Sequence, residues 1–382
     1  MCVDEITIDE VETLANEATG LSDFGPSHYR DGLEVFLESL AVDGPMHKEG
    51  VRIMRDLIVL TLSNRLKWVD WVGRHPGIDA QPLTNAPIFI VGTARSGTTL
   101  LYNLMSHHPE VRCPVFWETL DPIPPAWNCD GSTVNERIAA MDEFLRDYNE
   151  GLPQFKAIHY FHSATQVEEC NTLLYIPFKS PTKAFAVWPG PRYYRWLASQ
   201  SAESMRTAFS EYRSLVHLLA RSAPDKTWLT KCPMNAPYTH CLHEAFPTAR
   251  IVHTHRDCRE RLPSLCNLNR HLHSVYREPT INGVREQVLF YNQLSMESMS
   301  RARVAHPDDT FDIDYPDLVA DPVKTVATLC ESLGLSVTER FLADCQSWLD
   351  SRNPYDAKKV GKHEYDAKTF GLDLEELAKL EP

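Results

Sequence analysis

The sequence predicts an α/β fold: a parallel β-sheet flanked by helices, with a helical cap ahead of it and a helical lid inserted into it. Three observations carry this. Ile88-Phe-Ile-Val91 is a short apolar run bounded by Pro87 and Gly92, the pattern of a fully buried strand. It leads through a loop of glycine and hydroxyl residues, Gly92-Thr-Ala-Arg95-Ser96-Gly97-Thr98-Thr99, into a helix whose Leu100, Leu101, Leu104 and Met105 share a face. Thr227–Thr230 and Arg250–His255 then read as two strands joined by a helix over about Tyr238–Phe246, one crossover of a parallel sheet.

The chain has 382 residues, 43% of them hydrophobic, which suffices for a substantial core. With 38 basic against 52 acidic residues the net charge is −14, which disfavours nonspecific binding to nucleic acid or an anionic membrane. An anionic ligand would then need local clusters of Lys and Arg. The 10 cysteines form no C-x-x-C pair, so neither a zinc site nor a disulfide framework is expected, and reduced thiols in a cytoplasm are. Met-Cys-Val-Asp-Glu at the start lacks a signal-peptide pattern, and the apolar stretch Leu57–Leu62 is far short of a membrane span.

Residues 1–86 read as a cap of three helices. The first spans about Asp9–Ala18 and stops at Gly20; the second carries Leu33, Phe36, Leu37 and Leu40. The third runs from about Glu49 to Val72, with Val51, Met54, Leu57, Ile58 and Leu62 on one stripe.

The loop that follows is P-loop-like. Gly92, Gly97 and Thr99 occupy the glycine and hydroxyl positions of G-x-x-x-x-G-K-[ST], but Thr98 replaces the lysine and Arg95 supplies a cation three residues earlier. That lysine reaches the β- and γ-phosphates in nucleoside triphosphatases, so its loss argues against ordinary ATP or GTP hydrolysis. Backbone N–H groups and a helix N-terminus still make the loop an anion cradle. A loop that merely turns a strand into a helix is the alternative.

His107-His108 lacks a third ligand at useful spacing, so no metal is expected, and capping of the helix end is the better reading. Val111–Phe116 reads as a second strand, with Glu118 just beyond it at the sheet edge that holds the loop. Desolvation by Phe116 and Trp117 would raise the Glu118 pKa and suit a general base; a solvated carboxylate at a strand end is the alternative. Residues 121–225 read as the lid, with helices over about Val134–Tyr148 and Ser201–Arg221. Between these helices, aromatics crowd residues 150–200 and suit the wall of an apolar pocket. His159, His162, Glu168 and Glu169 are the polar groups there, and His162 and Glu169 are candidate acceptor contacts.

The two later strands end in Lys231 and in Arg256-Asp257, hence on one edge, and Ser264 lies eight residues after Arg256. An arginine at a strand end and a serine eight residues on resemble the 3′-phosphate-binding pair of sulfotransferases, enzymes that use 3′-phosphoadenosine 5′-phosphosulfate (PAPS). The strand–Arg-Ser-Gly-Thr-Thr–helix unit likewise resembles their 5′-phosphosulfate loop. Trp228-Leu-Thr-Lys231-Cys-Pro, the run Ala245–Asp257 and His108-Pro-Glu-Val-Arg-Cys113 are similar to the bacterial sulfotransferase family that includes the tyrosylprotein sulfotransferases.

The resemblance implies that Arg95, Ser96, Gly97, Thr98, Thr99, Arg256 and Ser264 bind the cofactor. It implies Lys231 as the strand-end catalytic lysine and Glu118 as catalytic glutamate. Arg95 is expected as a second catalytic cation because sulfuryl transfer moves negative charge toward the leaving 5′-phosphate, which Lys231, Arg95 and the loop amides can stabilise. The resemblance covers roughly 87–120 and 226–266, and more weakly the carboxyl end. There a helix over about Asn282–Arg303, a strand at Thr310–Tyr315 and two helices are expected, followed by a basic tail in which Lys362 is a candidate anion ligand.

The expectation is therefore a single sulfotransferase domain over 1–382, with a nucleotide-binding core at 87–120 and 226–335 and a carboxyl-terminal helix and tail at 336–382. It would move the sulfuryl group from PAPS, without a metal, to a small apolar alcohol, phenol or lipid-like hydroxyl. Rival readings are a P-loop kinase or NTPase and a non-catalytic nucleotide-binding protein. No motif specifies nucleic-acid binding or an oligomer.

Overall fold

A computed structural model describes residues 6–78, 81–151, 162–188, 190–352 and 366–380. Five parallel strands make one sheet: β1 (Ile88–Ile90), β2 (Val111–Arg112), β3 (Thr227–Lys231), β4 (Arg250–His255) and β5 (Thr310–Asp314), in the order β2-β3-β1-β4-β5. Central β1 sets Ile90 between Lys231 of β3 and Val252 of β4. The loop after β1 therefore emerges beside the ends of both neighbours, at the switch point where open α/β sheets bind ligands.

Helices cover both faces. Ahead of the sheet lie α1 (Ile8–Thr19), α2 (Tyr29–Val42) and α3 (Lys48–Arg74). Between β1 and β3 lie α4 (Thr98–Met105), α5 (Phe116–Leu120), α6 (Gly131–Gly151), α7 (Pro191–Ala198) and α8 (Ala202–Ala220). Then come α9 (Thr239–Ala245), α10 (Cys258–Ser274), α11 (Ile281–Ala305), α12 (Tyr315–Ala320), α13 (Pro322–Ser332) and α14 (Glu339–Arg352). Alternate strand residues point to opposite faces, and β1, covered on both, is apolar throughout (Ile-Phe-Ile). Phe89, Val91, Trp228 and Ile251 join a large core that includes the first three helices, α8 and α10. Ile88, Ile90, Leu229 and Val252 join a smaller one against α4, α13 and α14.

The amino-terminal helices are bound into the large core. Arg65 of α3 is fully buried; it donates to both Glu211 oxygens of α8 (2.8 and 3.1 Å) and to the carbonyls of Phe24 and Pro26, and it lies over the Tyr29 ring. Such a pair holds only because its hydrogen bonds are nearly all met.

Two expectations are corrected. The second strand pairs only at Val111 and Arg112, because Pro114 has no N–H to extend the ladder and the chain turns into α5. Glu118 is thus the third residue of a short helix, not a strand-end residue. Second, the lid aromatics Tyr175, Phe178, Phe185, Trp188, Tyr193 and Tyr194 are core residues, each no more than 8% exposed. They pack with α2 and α3 instead of walling an open pocket, in a segment containing a 3₁₀ turn at Cys170–Tyr175 and a π turn at Lys183–Val187. Lys362 and His159 lie outside the described residues.

Candidate active site

The loop after β1 is shaped by close packing. A Cβ on Gly92 would sit 1.8 Å from Thr254 Oγ1 and 2.6 Å from the Thr254 nitrogen, so only glycine lets the loop leave the sheet against β4. Gly97 has φ +91°, and a Cβ there would meet Tyr315 at 2.8 Å. Buried Ser96 donates to the Thr93 carbonyl and bonds the Thr254 hydroxyl, fixing the loop's inner side. Gly97 caps α4 with no side-chain hydrogen bond, which leaves the first-turn N–H groups near Thr98 and Thr99 directed at the cradle.

Around this cradle the predicted cations converge. Arg95 adopts φ +72° and donates from Nε to Ser264 Oγ at 3.0 Å. Arg256, at the end of β4, donates from Nη1 to the Arg95 carbonyl (3.1 Å), bonds Glu260 and lies 4.2 Å from the Tyr315 ring. Arg95, Arg256 and Ser264 thus form one cluster, although 161 residues separate the two arginines. Lys231, buried at the end of β3, donates to Thr99 Oγ1 at 3.1 Å and is ion-paired with Glu169. Glu169 also accepts from Asn171 Nδ2 (2.9 Å). Arg259 instead pairs with Asp257 at the exposed start of α10.

The carboxylates are distributed differently from the expectation. Glu118 is buried, with both oxygens 2.5 Å from Arg112 Nη2 and one also accepting the Val115 N–H (3.1 Å). Its surroundings include a guanidinium as well as the expected aromatics. His162 is exposed and its backbone N–H donates to Gln166. His108 pairs with the Ser336 carbonyl, a tertiary tie at the end of α4.

Two residues beyond the predicted site adjoin it. Arg112 is the partner of Glu118, and Glu168 precedes the glutamate that holds Lys231. Burial, followed by the charge of Glu169, pushes the Glu168 carboxyl up to about 7, with Lys231 opposing. The available signal was two consecutive acids in an aromatic, cation-poor stretch.

A cradle lacking the lysine of triphosphatases, with an arginine–serine cluster on one side and a strand-end lysine on the other, agrees with the comparisons to known proteins. The pattern that defines the sulfotransferase family matches residues 87–339, most of the chain. The chain belongs to the sulfotransferase family. The omega-hydroxy-beta-dihydromenaquinone-9 sulfotransferase Stf3 of Mycobacterium bovis is 26% identical to this sulfotransferase over 281 residues, 72% of this chain and 69% of its own. The crystal structure of STF1 from Mycobacterium tuberculosis H37Rv superposes with TM-score 0.82 at 24% identity, covering 99% of this chain and 98% of that one. STF9 from Mycobacterium avium gives 0.85 at 23% identity, covering 99% and 95%. These structures share the P-loop-like α/β fold with this enzyme.

Proposed function

We propose that this sulfotransferase takes the sulfuryl group from PAPS and transfers it to the hydroxyl of a small apolar acceptor, releasing adenosine 3′,5′-bisphosphate. The observation that carries the reading is the Arg95–Arg256–Ser264 cluster beside the loop. PAPS has a 3′-phosphate that ATP lacks, and two guanidinium groups with a hydroxyl select it through charge-assisted hydrogen bonds. The Ser96–Thr99 backbone and the start of α4 bind the 5′-phosphate. Lys231, already at Thr99, together with Arg95, stabilises the charge that develops on that phosphate as sulfur departs.

An alcohol, phenol or lipid-like hydroxyl is supported by the Mycobacterium bovis relative, which is named for a hydroxylated menaquinone derivative. A cytoplasmic setting is supported by nine free thiols among the described residues. No described helix is long and apolar enough to cross a membrane.

Thermal melting with adenosine 3′,5′-bisphosphate and with ADP, each without magnesium, tests the donor. The bisphosphate raises Tm by binding the native state, and ADP does so much less. Arg256→Ala removes most of that difference, on the order of 1.5–3 kcal/mol for hydrogen bonds to a charged group. Equal shifts with both nucleotides, or a strong requirement for magnesium, would favour the kinase reading instead.

A further inference from the structure

Three glutamates lie along one seam beside the cradle. Residues 164–168 run against 114–117: Val115 and Val167 form an antiparallel bridge, and the Phe116, Trp117 and Glu168 N–H groups donate to Gln166, Ala164 and Pro114 carbonyls. This seam ties Glu118 of α5 to the Glu168-Glu169 pair. The three carboxylates differ in their counter-ions. Glu118 is held by Arg112, and Glu169 by Lys231. Glu168 has no ion-pair partner among the described residues, and it is half-buried, whereas Glu118 and Glu169 are buried.

Its orientation is nonetheless fixed. The Glu168 N–H donates to the Pro114 carbonyl (3.0 Å), and its carbonyl accepts from the Tyr102 hydroxyl of α4 (3.2 Å). Oε1 accepts the Glu169 N–H at 2.8 Å, while among the described residues Oε2 has only a long contact from Gln166 Nε2 at 3.4 Å. One oxygen is anchored and the other is available, as a base that must accept a proton requires.

We propose that Glu168 is the general base that takes the acceptor's hydroxyl proton; this deepens the sulfotransferase reading above and rests on it. As the acceptor oxygen bonds sulfur, its proton passes to Glu168 Oε2. The bond between sulfur and the 5′-phosphate oxygen breaks, and its electron pair stays on that oxygen, stabilised by Lys231 and the loop amides. Both Glu118 oxygens are instead occupied by Arg112 Nη2, and one of them also by the Val115 N–H, so neither is turned to an acceptor hydroxyl. Glu118 in this role is a buried strut for α5.

The groups facing Glu168 set its titration. Glu169 in its own segment disfavours ionisation and Lys231 of β3 favours it. Tyr102 of α4 and Cys113 ahead of α5 are both pushed upward by burial, to about 12 for the thiol, and stay neutral at working pH. The Arg112–Glu118 pair carries no net charge. With its carboxyl near 7, the base ionises as pH rises, so turnover climbs from pH 6 to pH 8.

The test compares Glu168→Gln, Glu168→Asp and Glu118→Gln with the unaltered enzyme. Release of adenosine 3′,5′-bisphosphate from PAPS is followed from pH 5.5 to 9 with 2-naphthol and farnesol as acceptors. In parallel, carboxyl resonances of ¹³C-glutamate-labelled protein are titrated. Glu168→Gln lowers transfer at least about 10²-fold at pH 8, flattens the pH profile and removes a resonance titrating near 7. Bisphosphate affinity stays within about twofold, since no donor-binding group has changed. Glu168→Asp keeps the pH dependence at a reduced rate, and Glu118→Gln retains the profile. A wild-type rate in Glu168→Gln overturns the proposal, as does loss of the profile in Glu118→Gln alone. If neither alcohol is sulfated, the titration decides: a Glu168 resonance titrating near 4.5 overturns the proposal. Failure of the unaltered enzyme to bind the bisphosphate overturns the reading of function instead.

Discussion

Arg95 holds a backbone conformation that arginine seldom adopts, with φ +72°, while its guanidinium bonds Ser264. A non-glycine residue in the left-handed region costs on the order of 1 kcal/mol and persists where something else depends on it. Arg95→Gly relieves that cost and deletes the guanidinium. Its melting temperature should equal or exceed that of the parent, while bisphosphate affinity and turnover fall by at least about tenfold, the loss of one charge-assisted bond of roughly 1.5–3 kcal/mol. A marked loss of Tm would mean that Arg95 is retained for the fold. At this scale the sequence was informative wherever a side chain follows a strand. Arg95, Lys231 and Arg256 leave β1, β3 and β4 at one edge, and Ser264 lies two turns into α10. Glu168 was harder to single out, because a seam of irregular chain, not a periodic element, aligns it with Glu118 and Lys231.

Elements carry the cradle through contacts that leave no room for a methyl group. At Gly92 an added Cβ would lie 1.8 Å from a side-chain oxygen and 2.6 Å from the backbone nitrogen of Thr254, on a central strand that cannot retreat. Gly92→Ala should therefore push the loop away from β4 and disturb the Ser96–Thr254 bond. The expected cost is at least about 1–3 kcal/mol, as for overpacking in a tight core. Bisphosphate binding should weaken beyond what the stability change explains. A variant with parental stability and affinity would show that the loop can shift freely. The helices were legible because their apolar stripes are long: the third was expected over Glu49–Val72 and spans Lys48–Arg74. β2 is shorter than its sequence suggests because the apolar residues Val111, Val115 and Phe116 suit a strand or a helix equally, and Pro114 decides between them by lacking an N–H. The aromatic stretch after α6 misled for a related reason. Aromatic density marks a core and a pocket wall alike, and only the packing of Trp188 and Tyr193 against α2 separates the two.

For the whole molecule, buried histidines define how acid should undo the fold. His243 of α9, His253 of β4 and His273 of α10 are all at most 4% exposed. Burial, aided by nearby cationic or titrating side chains, depresses their pKa values to about 4, about 3 and about 3. Each is neutral in the native state and ordinary, near 6.5, once unfolded. The unfolded chain therefore binds more protons as pH falls through 6.5, and stability is lost from there down to about 4. Each histidine contributes on the order of 1–2 kcal/mol of loss between pH 6.5 and 5. Carboxylates held below their usual range, such as Glu211 beside His28 and Arg65, respond only at lower pH, so the two windows separate. Urea unfolding from pH 8 to 4.5 should show stability falling well above the carboxylate range. His243, which stacks on His306 with ring centroids 3.9 Å apart, offers the cleanest dissection. His243→Leu removes the titrating ring and should lower the slope between pH 6.5 and 5 by about one proton's worth, roughly 1.4 kcal/mol per pH unit. An unchanged slope would mean that His243 is already protonated in the folded enzyme, and acid sensitivity would then have to originate at the other two histidines.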